Sequence, residues 1–215
     1  MLAVDTTAEI GGVALVGPEG TIAEAVLRAA DGYGESLFGE IGGVLARAGV
    51  TLREIDVFAS ASGPGSFTGV RVGLTAMKGL AAALNRPAVG VSNLRAMAAL
   101  GAGDLRAPIL DARRGEVYGA VYDSRGECVR SETVGPLADW LAALPSGVTF
   151  VLTGAEPVDV QLPPESPRSY VGQALAAFIG RIALAELAAG KPLHPATVEA
   201  NYVRRADAEM KWTDR

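Results

Sequence analysis

The hydrophobic residues of this chain change their spacing along the first hundred positions, and this change constrains the fold more than any other feature. Short runs rich in β-formers come first, and from Leu37 onward apolar residues recur every three or four positions, as in a helix. The predicted strands are 2–4, 12–16, 21–27, 55–61 and 88–91, and the predicted helices are 35–48, 70–84 and 92–100. Three strands followed by alternating helices and strands predict an α/β sheet with an antiparallel start.

The second half of the chain follows a break in this pattern at residues 101–104, Gly-Ala-Gly-Asp, which we interpret as a domain boundary. Beyond the break, strands are predicted over 108–110, 116–122 and 148–152, and helices over 137–144 and 171–189. Residues 156–168 carry four prolines and are predicted to form a loop. The chain therefore has enough regular structure for two small units.

Charge and composition exclude several classes of protein. The formal net charge of −5 and a pI near 5.0 argue against a chain that binds nucleic acid through a basic surface of its own. A single cysteine, Cys128, and a single histidine, His194, exclude disulfide scaffolds, zinc fingers and His-x-x-x-His metalloproteases. Asp5 falls where a signal peptide needs its apolar core, so we expect a cytoplasmic protein with no membrane association.

A glycine-rich segment, residues 63–71 (Gly-Pro-Gly-Ser-Phe-Thr-Gly-Val-Arg), joins a predicted strand to a predicted helix. Backbone amides at such a helix start favour an anion, although the segment lacks both the Lys-Ser/Thr pair of a P-loop and the third glycine of a dinucleotide-binding turn. The alternative is a packing role, because Gly69, Gly73 and Gly79 would remove bulk from the helix and let another helix approach.

Carboxylates follow two predicted strands. Asp5-Thr6-Thr7 ends the first strand, and actin-like ATPases and sugar kinases begin their phosphate loop in this way. The simpler interpretation is a turn in which the hydroxyl and carboxylate groups bond to the backbone. Asp111 ends a later strand, with two arginines close behind it, and is either a second nucleotide-side carboxylate or part of an exposed, ion-paired turn.

Five segments of the chain, taken together, resemble the bacterial TsaB (YeaZ) family. In chain order they are Leu-Ala-Val-Asp-Thr-Thr at 2–7, the glycine-rich block at 63–73, Gly-Val-Ser-Asn-Leu at 90–94, Asp-Ala-Arg-Arg-Gly-Glu-Val-Tyr at 111–118 and Tyr-Val-Arg at 202–204. The resemblance spans essentially the whole chain. It implies an actin-like ATPase (ASKHA, ribonuclease H-like) α/β fold of two lobes, the second one reduced. We place these lobes at 1–101 and 102–215, with the helix 171–189 packing back on the first.

The resemblance also implies a function in making N6-threonylcarbamoyladenosine beside the anticodon of tRNAs that read codons starting with A. In this family the chain is a non-catalytic partner of TsaD, which transfers the threonylcarbamoyl group from threonylcarbamoyl-AMP, and the ATPase TsaE joins the complex. Homodimers also form. The tRNA is then held mainly by the partners, with help from Arg204 and Arg205.

No catalytic residue, metal site or cofactor is expected on this chain. Proteins of the TsaD type carry His-x-x-x-His on their first helix, whereas residues 33–37 contain no histidine, and Tyr33 stands where many TsaB chains have one. Asp5, Thr6 and Asp111 are then vestiges of a nucleotide site. The alternative function is an autonomous actin-like ATPase or small-molecule kinase that uses these same three residues.

The interface with TsaD is expected to lie on the helices 35–48 and 69–84. The residues assigned to it are Tyr33, Leu37, Phe38, Ile41, Gly65, Phe67, Gly69, Arg71, Gly73 and Met77. A four-helix contact would bury Leu37, Phe38 and Ile41, and the glycines would allow close packing. Gly73→Leu is accordingly expected to abolish TsaD binding and to leave the monomer folded.

Overall fold

The computed structural model describes residues 1–154, 161–190 and 194–203, and its first sheet is built by the N-terminal part of the chain. The elements are β1 (Leu2–Asp5), β2 (Ile10–Gly17), β3 (Gly20–Arg28), α1 (Tyr33–Ala48), β4 (Phe58–Gly63), α2 (Phe67–Ala83), β5 (Ala88–Ser92) and α3 (Asn93–Leu100). The strand order is β3-β2-β1-β4-β5. Strands β1, β4 and β5 are parallel, whereas β2 is antiparallel to both β1 and β3, which confirms the predicted antiparallel start.

The second sheet repeats the connectivity of the first. Its elements are β6 (Leu105–Asp111), β7 (Glu116–Asp123), β8 (Cys128–Pro136), α4 (Leu137–Ala142), β9 (Val148–Leu152), β10 (Arg168–Tyr170) and α5 (Ala176–Ala188). The order β8-β7-β6-β9-β10 matches that of the first sheet, strand for strand. This second copy is reduced, because α4 has 6 residues where its counterpart α1 has 16. Two sheets of the same connectivity are the arrangement expected for a two-lobed actin-like fold.

Helices cover both faces of the first sheet, and its edge strand β3 remains largely exposed. Helices α1 and α2 cover one face, where Leu37 and Met77 pack with Leu2 and Phe58 of the strands. Helices α3 and α5 cover the other face. Each large apolar side chain buried in this way contributes about 1.5–3 kcal/mol to folding. The whole of β1 is consequently buried, and its C-terminal end meets the loops that carry the candidate site.

Helix α5 comes from the second half of the chain and contacts strands of the first sheet, β1, β2 and β4 among them. A Cβ atom on Gly180 would lie 2.7 Å from a side-chain carbon of Val16, so the absence of a side chain lets the helix come close to the sheet. An ion pair between Arg95 of α3 and Glu186 of α5 joins the two helices on this face. The division into lobes at 101/102 stays a prediction.

Three sequence predictions are corrected by the structure. Strand β8 was not predicted, because it is a largely exposed edge strand whose sequence, Cys-Val-Arg-Ser-Glu-Thr-Val-Gly-Pro, shows no alternation of apolar and polar residues. Residues 168–170 form the short strand β10 at the end of the predicted loop. Helix α5 begins at Ala176 instead of 171, because the Val171 amide bonds to the Leu152 carbonyl and continues the sheet pairing. No helix among the described residues is long and apolar enough to cross a membrane.

Candidate functional site: a helical groove and the adjacent cleft

A groove of about 580 Å³ lies between α1 and α2 on the outer face of the first sheet. Its lining is mostly apolar or small and includes Leu37, Phe38, Phe67, Val72, Ala76, Gly79 and Leu80. Phe38 and Phe67 are 56% and 46% exposed, which is unusual for large aromatic side chains on one small surface. An apolar groove with exposed aromatic rings can receive the apolar face of a helix.

Two residues of the groove lining, Phe67 and Arg71 of α2, contact the C-terminal part of the chain. The Arg71 guanidinium lies 3.8 Å from the centre of the Phe67 ring, in a cation–π arrangement. The ring of Tyr202 lies 5.9 Å from that of Phe67, and the Arg71 Nε donates a hydrogen bond of 3.2 Å to the Tyr202 hydroxyl. Three side chains from two distant segments therefore form one cluster.

The structure separates the predicted interface residues into two groups. Phe38, Gly65, Phe67 and Arg71 are exposed, whereas Tyr33, Leu37, Ile41, Gly69, Gly73 and Met77 are buried within the chain. The expectation that a partner buries Leu37 and Ile41 is wrong, because α1 already turns these side chains toward the sheet. Tyr33 is likewise held internally, since its hydroxyl donates a hydrogen bond of 2.7 Å to the Ala8 carbonyl.

Two of the helix glycines face the sheet and not a partner. A Cβ atom on Gly69 would lie 1.9 Å from the Thr6 carbonyl oxygen, and one on Gly73 would lie 2.7 Å from the Thr6 hydroxyl and 2.8 Å from that of Ser60. A Cβ on Gly79, by contrast, would meet no atom within 4 Å. Gly69 and Gly73 thus let α2 approach β1 and β4. Gly73→Leu would disrupt this packing, so we now expect it to destabilise the monomer instead of leaving it folded.

Several amides of the glycine-rich loop donate hydrogen bonds inside the chain. The Ser66 amide donates to the Thr7 carbonyl at 2.7 Å, and the Gly63 amide donates to Asn93 Oδ1 at 3.0 Å. The Ser66 hydroxyl accepts a hydrogen bond from the Gly69 amide at 3.3 Å and caps α2. These internal partners favour the packing interpretation of the loop over the phosphate interpretation.

The carboxylate of Asp5 is fully buried at the end of β1. Its Oδ1 accepts hydrogen bonds from the Thr7 amide at 3.0 Å and the Thr7 hydroxyl at 2.6 Å. Oδ2 accepts no hydrogen bond of normal geometry, although the nearby Leu175 amide favours the charged form. Burial outweighs these favourable contacts and raises the pKa of Asp5 above its ordinary value.

A second, larger cavity lies beside the groove, in the cleft between the two sheets. Its volume is about 1350 Å³, and residues of both halves of the chain line it, Thr7 and Asp111 among them. Asp111 Oδ1 accepts a hydrogen bond of 2.8 Å from the Arg113 amide. Asp5 and Thr6 do not line the cleft, and the Thr6 hydroxyl donates to the Gly69 carbonyl at 2.6 Å. Of the three predicted nucleotide-side residues, Asp111 alone lines the cleft.

Two polar residues at this junction were missed by the sequence reasoning. Asn93 bridges the loops, since its Nδ2 donates to the Thr7 hydroxyl while its Oδ1 accepts from the Gly63 amide. Glu132 of β8 accepts hydrogen bonds from Ser92, Tyr122 and Asn201. The position of Asn93 directly after a buried strand was an available signal, whereas nothing local marks Glu132. In the described part of the chain, no three His, Cys, Asp or Glu residues form a group that could hold a metal.

Replacing Asp5 by asparagine tests the burial of its carboxylate through the pH dependence of stability. Because the folded-state pKa is raised, the contribution of Asp5 is fully present below its unfolded pKa of about 4 and is lost as the pH rises through the folded value. The asparagine side chain would keep the acceptor oxygen and carry no charge. We therefore expect the Tm of Asp5→Asn minus that of the wild type to increase between about pH 4 and pH 8. A difference that is constant with pH would contradict the assignment.

Comparison with known proteins identifies the family. A family model described as TsaD, tRNA N6-adenosine threonylcarbamoyltransferase, matches residues 27–208. The Bacillus subtilis tRNA threonylcarbamoyladenosine biosynthesis protein TsaB is 33% identical over 230 residues, covering 100% of this chain and 98% of that protein. The Escherichia coli protein of the same name is 38% identical over 127 residues, which are 57% of this chain and 54% of that protein.

Solved structures give the same result. YeaZ from Pseudomonas aeruginosa superposes with a TM-score of 0.80 at 27% identity, over 94% of this chain and 98% of that one. A Pseudomonas aeruginosa protein described as similar to peptidase YEAZ superposes with a TM-score of 0.79 at 29% identity, over the same shares. The resemblance and the actin-like fold predicted from the sequence are thereby confirmed. The chain belongs to the TsaB (YeaZ) family of tRNA threonylcarbamoyladenosine biosynthesis proteins.

Proposed function

We propose that this chain is a non-catalytic subunit required to form N6-threonylcarbamoyladenosine at the adenosine beside the anticodon of tRNAs reading codons that start with A. It binds a TsaD-type subunit, which transfers the threonylcarbamoyl group from threonylcarbamoyl-AMP. A TsaE-type ATPase and the tRNA join through that complex, in the cytoplasm. The observation that carries the proposal is the apolar groove between α1 and α2, with Phe38 and Phe67 exposed at its rim.

The match to the TsaD family model supports a partner of that class. Residues 27–208 match the model, and this range contains both helices of the groove. Two chains of one fold can associate through the same surface on each, so that a groove on one receives a ridge on the other. Phe38 and Phe67 would supply the ridge, and the open space beside Gly79 would receive the partner's side chains. A homodimer would use the same surface.

The burial of Asp5 supports a non-catalytic role. A carboxylate that binds the metal of a nucleotide must be reachable from the cleft, whereas Asp5 is fully buried and its Oδ1 is occupied by the amide and the hydroxyl of Thr7. The net charge of −5 supports tRNA binding mainly through the partner proteins. Arg204 and Arg205, to which a share of that binding was assigned, lie outside the described residues.

Reconstitution tests the proposal directly. TsaD-type and TsaE-type proteins, tRNA, ATP and threonylcarbamoyl-AMP are mixed with and without this chain, and the modified nucleoside is measured after digestion of the tRNA. We expect the product only when this chain and its partners are all present. Full activity without the chain, or product formed by this chain alone, would contradict a required, non-catalytic subunit.

The cleft favours a second function, that of an autonomous actin-like ATPase or small-molecule kinase. Its volume of about 1350 Å³ is large enough for a nucleotide, and Asp111 lies in its wall. Calorimetry of the isolated chain with ATP and magnesium distinguishes the two functions. Micromolar binding accompanied by hydrolysis would favour the kinase, and the absence of both would favour the non-catalytic subunit.

A further inference from the structure

Residues 198–203, at the end of the described part of the chain, lead from the core to the groove residues Phe67 and Arg71, and we call them the C-terminal strap. It is anchored at its start, where Val198 is buried in the core and its carbonyl accepts a hydrogen bond of 2.7 Å from Lys78 Nζ. Further along, the Asn201 amide donates to the Ser62 carbonyl at 2.8 Å. Backbone contacts thus fix the path of the strap before it reaches Tyr202.

The strap is also tied to the second sheet. Asn201 Nδ2 donates a hydrogen bond to Glu132 of β8, and Asn201, Tyr202 and Val203 all line the cleft. Tyr202, the residue after Asn201, contacts Phe67 and Arg71 of the groove lining. One short segment therefore contacts the second sheet, the cleft and the groove.

Tyr202 contacts two of the exposed groove residues at once. Its ring packs against the Phe67 ring at a tilt of 36°, and its hydroxyl accepts a hydrogen bond from Arg71, which itself lies over the Phe67 ring. An exposed arginine otherwise samples many rotamers, and restricting it on binding costs about 0.5–1.5 kcal/mol. Side chains already held in one arrangement avoid most of this cost, and rigid aromatic and arginine clusters contribute strongly to binding.

We propose that Tyr202 is a positioning residue for the partner-binding groove, which it prepares by holding Phe67 and Arg71 in their binding arrangement. This inference rests on the proposed function, since the occupant of the groove is the TsaD-type subunit. Tyr202 acts through Phe67 and Arg71, and its own contribution disappears when these two side chains are removed.

The test measures the affinity of the purified TsaD-type subunit for variants of the full chain by calorimetry. We expect Tyr202→Ala to weaken binding about tenfold and Tyr202→Phe, which keeps the ring and loses the hydrogen bond, about threefold. Tyr170→Ala is the matched control, because Tyr170 is 56% exposed, close to the 51% of Tyr202, and does not line the groove. In the Phe67→Ala/Arg71→Ala background, Tyr202→Ala is expected to have no further effect.

Two outcomes would overturn the positioning role. One is wild-type affinity for Tyr202→Ala, and the other is an undiminished tenfold loss in the double-variant background, which would mean that Tyr202 touches the partner itself. The variant Gly79→Leu, which fills the groove, distinguishes a failure of the positioning role of Tyr202 from a failure of the proposed function. If Gly79→Leu abolishes binding while Tyr202→Ala does not weaken it, the positioning role alone fails; if neither affects binding, the groove is not the interface.

Discussion

Replacing Gly69 by alanine is expected to destabilise the fold by about 3 kcal/mol or more, although the substitution adds a single methyl group. The added Cβ would lie 1.9 Å from the carbonyl oxygen of Thr6. This oxygen belongs to the backbone at the end of β1, so it cannot turn aside as the end of a flexible side chain could. Helix α2 would have to move away from the sheet, and the hydrogen bond from the Thr6 hydroxyl to the Gly69 carbonyl would be lost with it.

Gly79→Ala is the matched control, because it is the same substitution on the same helix. Its Cβ meets nothing within 4 Å, so the higher helix propensity of alanine is expected to stabilise the chain by about 1 kcal/mol. Urea unfolding followed by circular dichroism measures both variants. Equal midpoints for Gly69→Ala and the wild type would contradict the close contact with Thr6. If Gly69→Ala is insoluble by itself, the same substitution in the stabilised Gly79→Ala background gives a second measurement of the strain.

The spacing of the helix glycines places Gly79 on a different side of α2 from Gly69 and Gly73. Successive residues of an α-helix are rotated by about 100°, so Gly69 and Gly73 lie roughly 40° apart. Gly79 is rotated by roughly 240° from Gly73, so it lies on another side of the helix. The three glycines could therefore be separated from the sequence alone. Which side faces the sheet could not be predicted, because it depends on contacts with Thr6 and Ser60 that are distant in the chain.

The spacing of hydrophobic residues predicted the strands and helices of the first sheet, because each of these elements is long or strongly apolar. The second sheet was harder, since α4 is one short helix and β8 is an exposed edge strand without a continuous apolar face. For the same reason the repeated strand order of the two sheets was not visible in the sequence. The segment that carries Asp5 was located correctly, but its inward orientation follows from long-range contacts with Asn93 and α2.

A leucine at position 79, in the variant Gly79→Leu, is expected to weaken partner binding without destabilising the fold. Gly73→Leu cannot separate these two effects, because its side chain would disturb the packing of α2 on the sheet. Gly79 lies in the groove lining and is exposed, and a side chain built on it enters open space. Leucine is a better helix former than glycine, so Gly79→Leu is expected to keep or raise the Tm of the isolated chain. Its side chain would occupy the space that a partner helix needs, and we expect the affinity for the TsaD-type subunit to fall by about 100-fold or more.

Gly39→Leu provides the control for this prediction, because Gly39 is also an exposed helical glycine with nothing within 4 Å of its Cβ position. It lies on α1 one residue after Phe38, rotated by about 100° from it and away from the core residues of that helix. Size-exclusion chromatography of each variant with the partner, followed by calorimetry, compares the two. Equal affinity for Gly79→Leu and the wild type would place the interface elsewhere. Equal losses for both variants would mean that the contact extends around α1, because a leucine at either position would then block it.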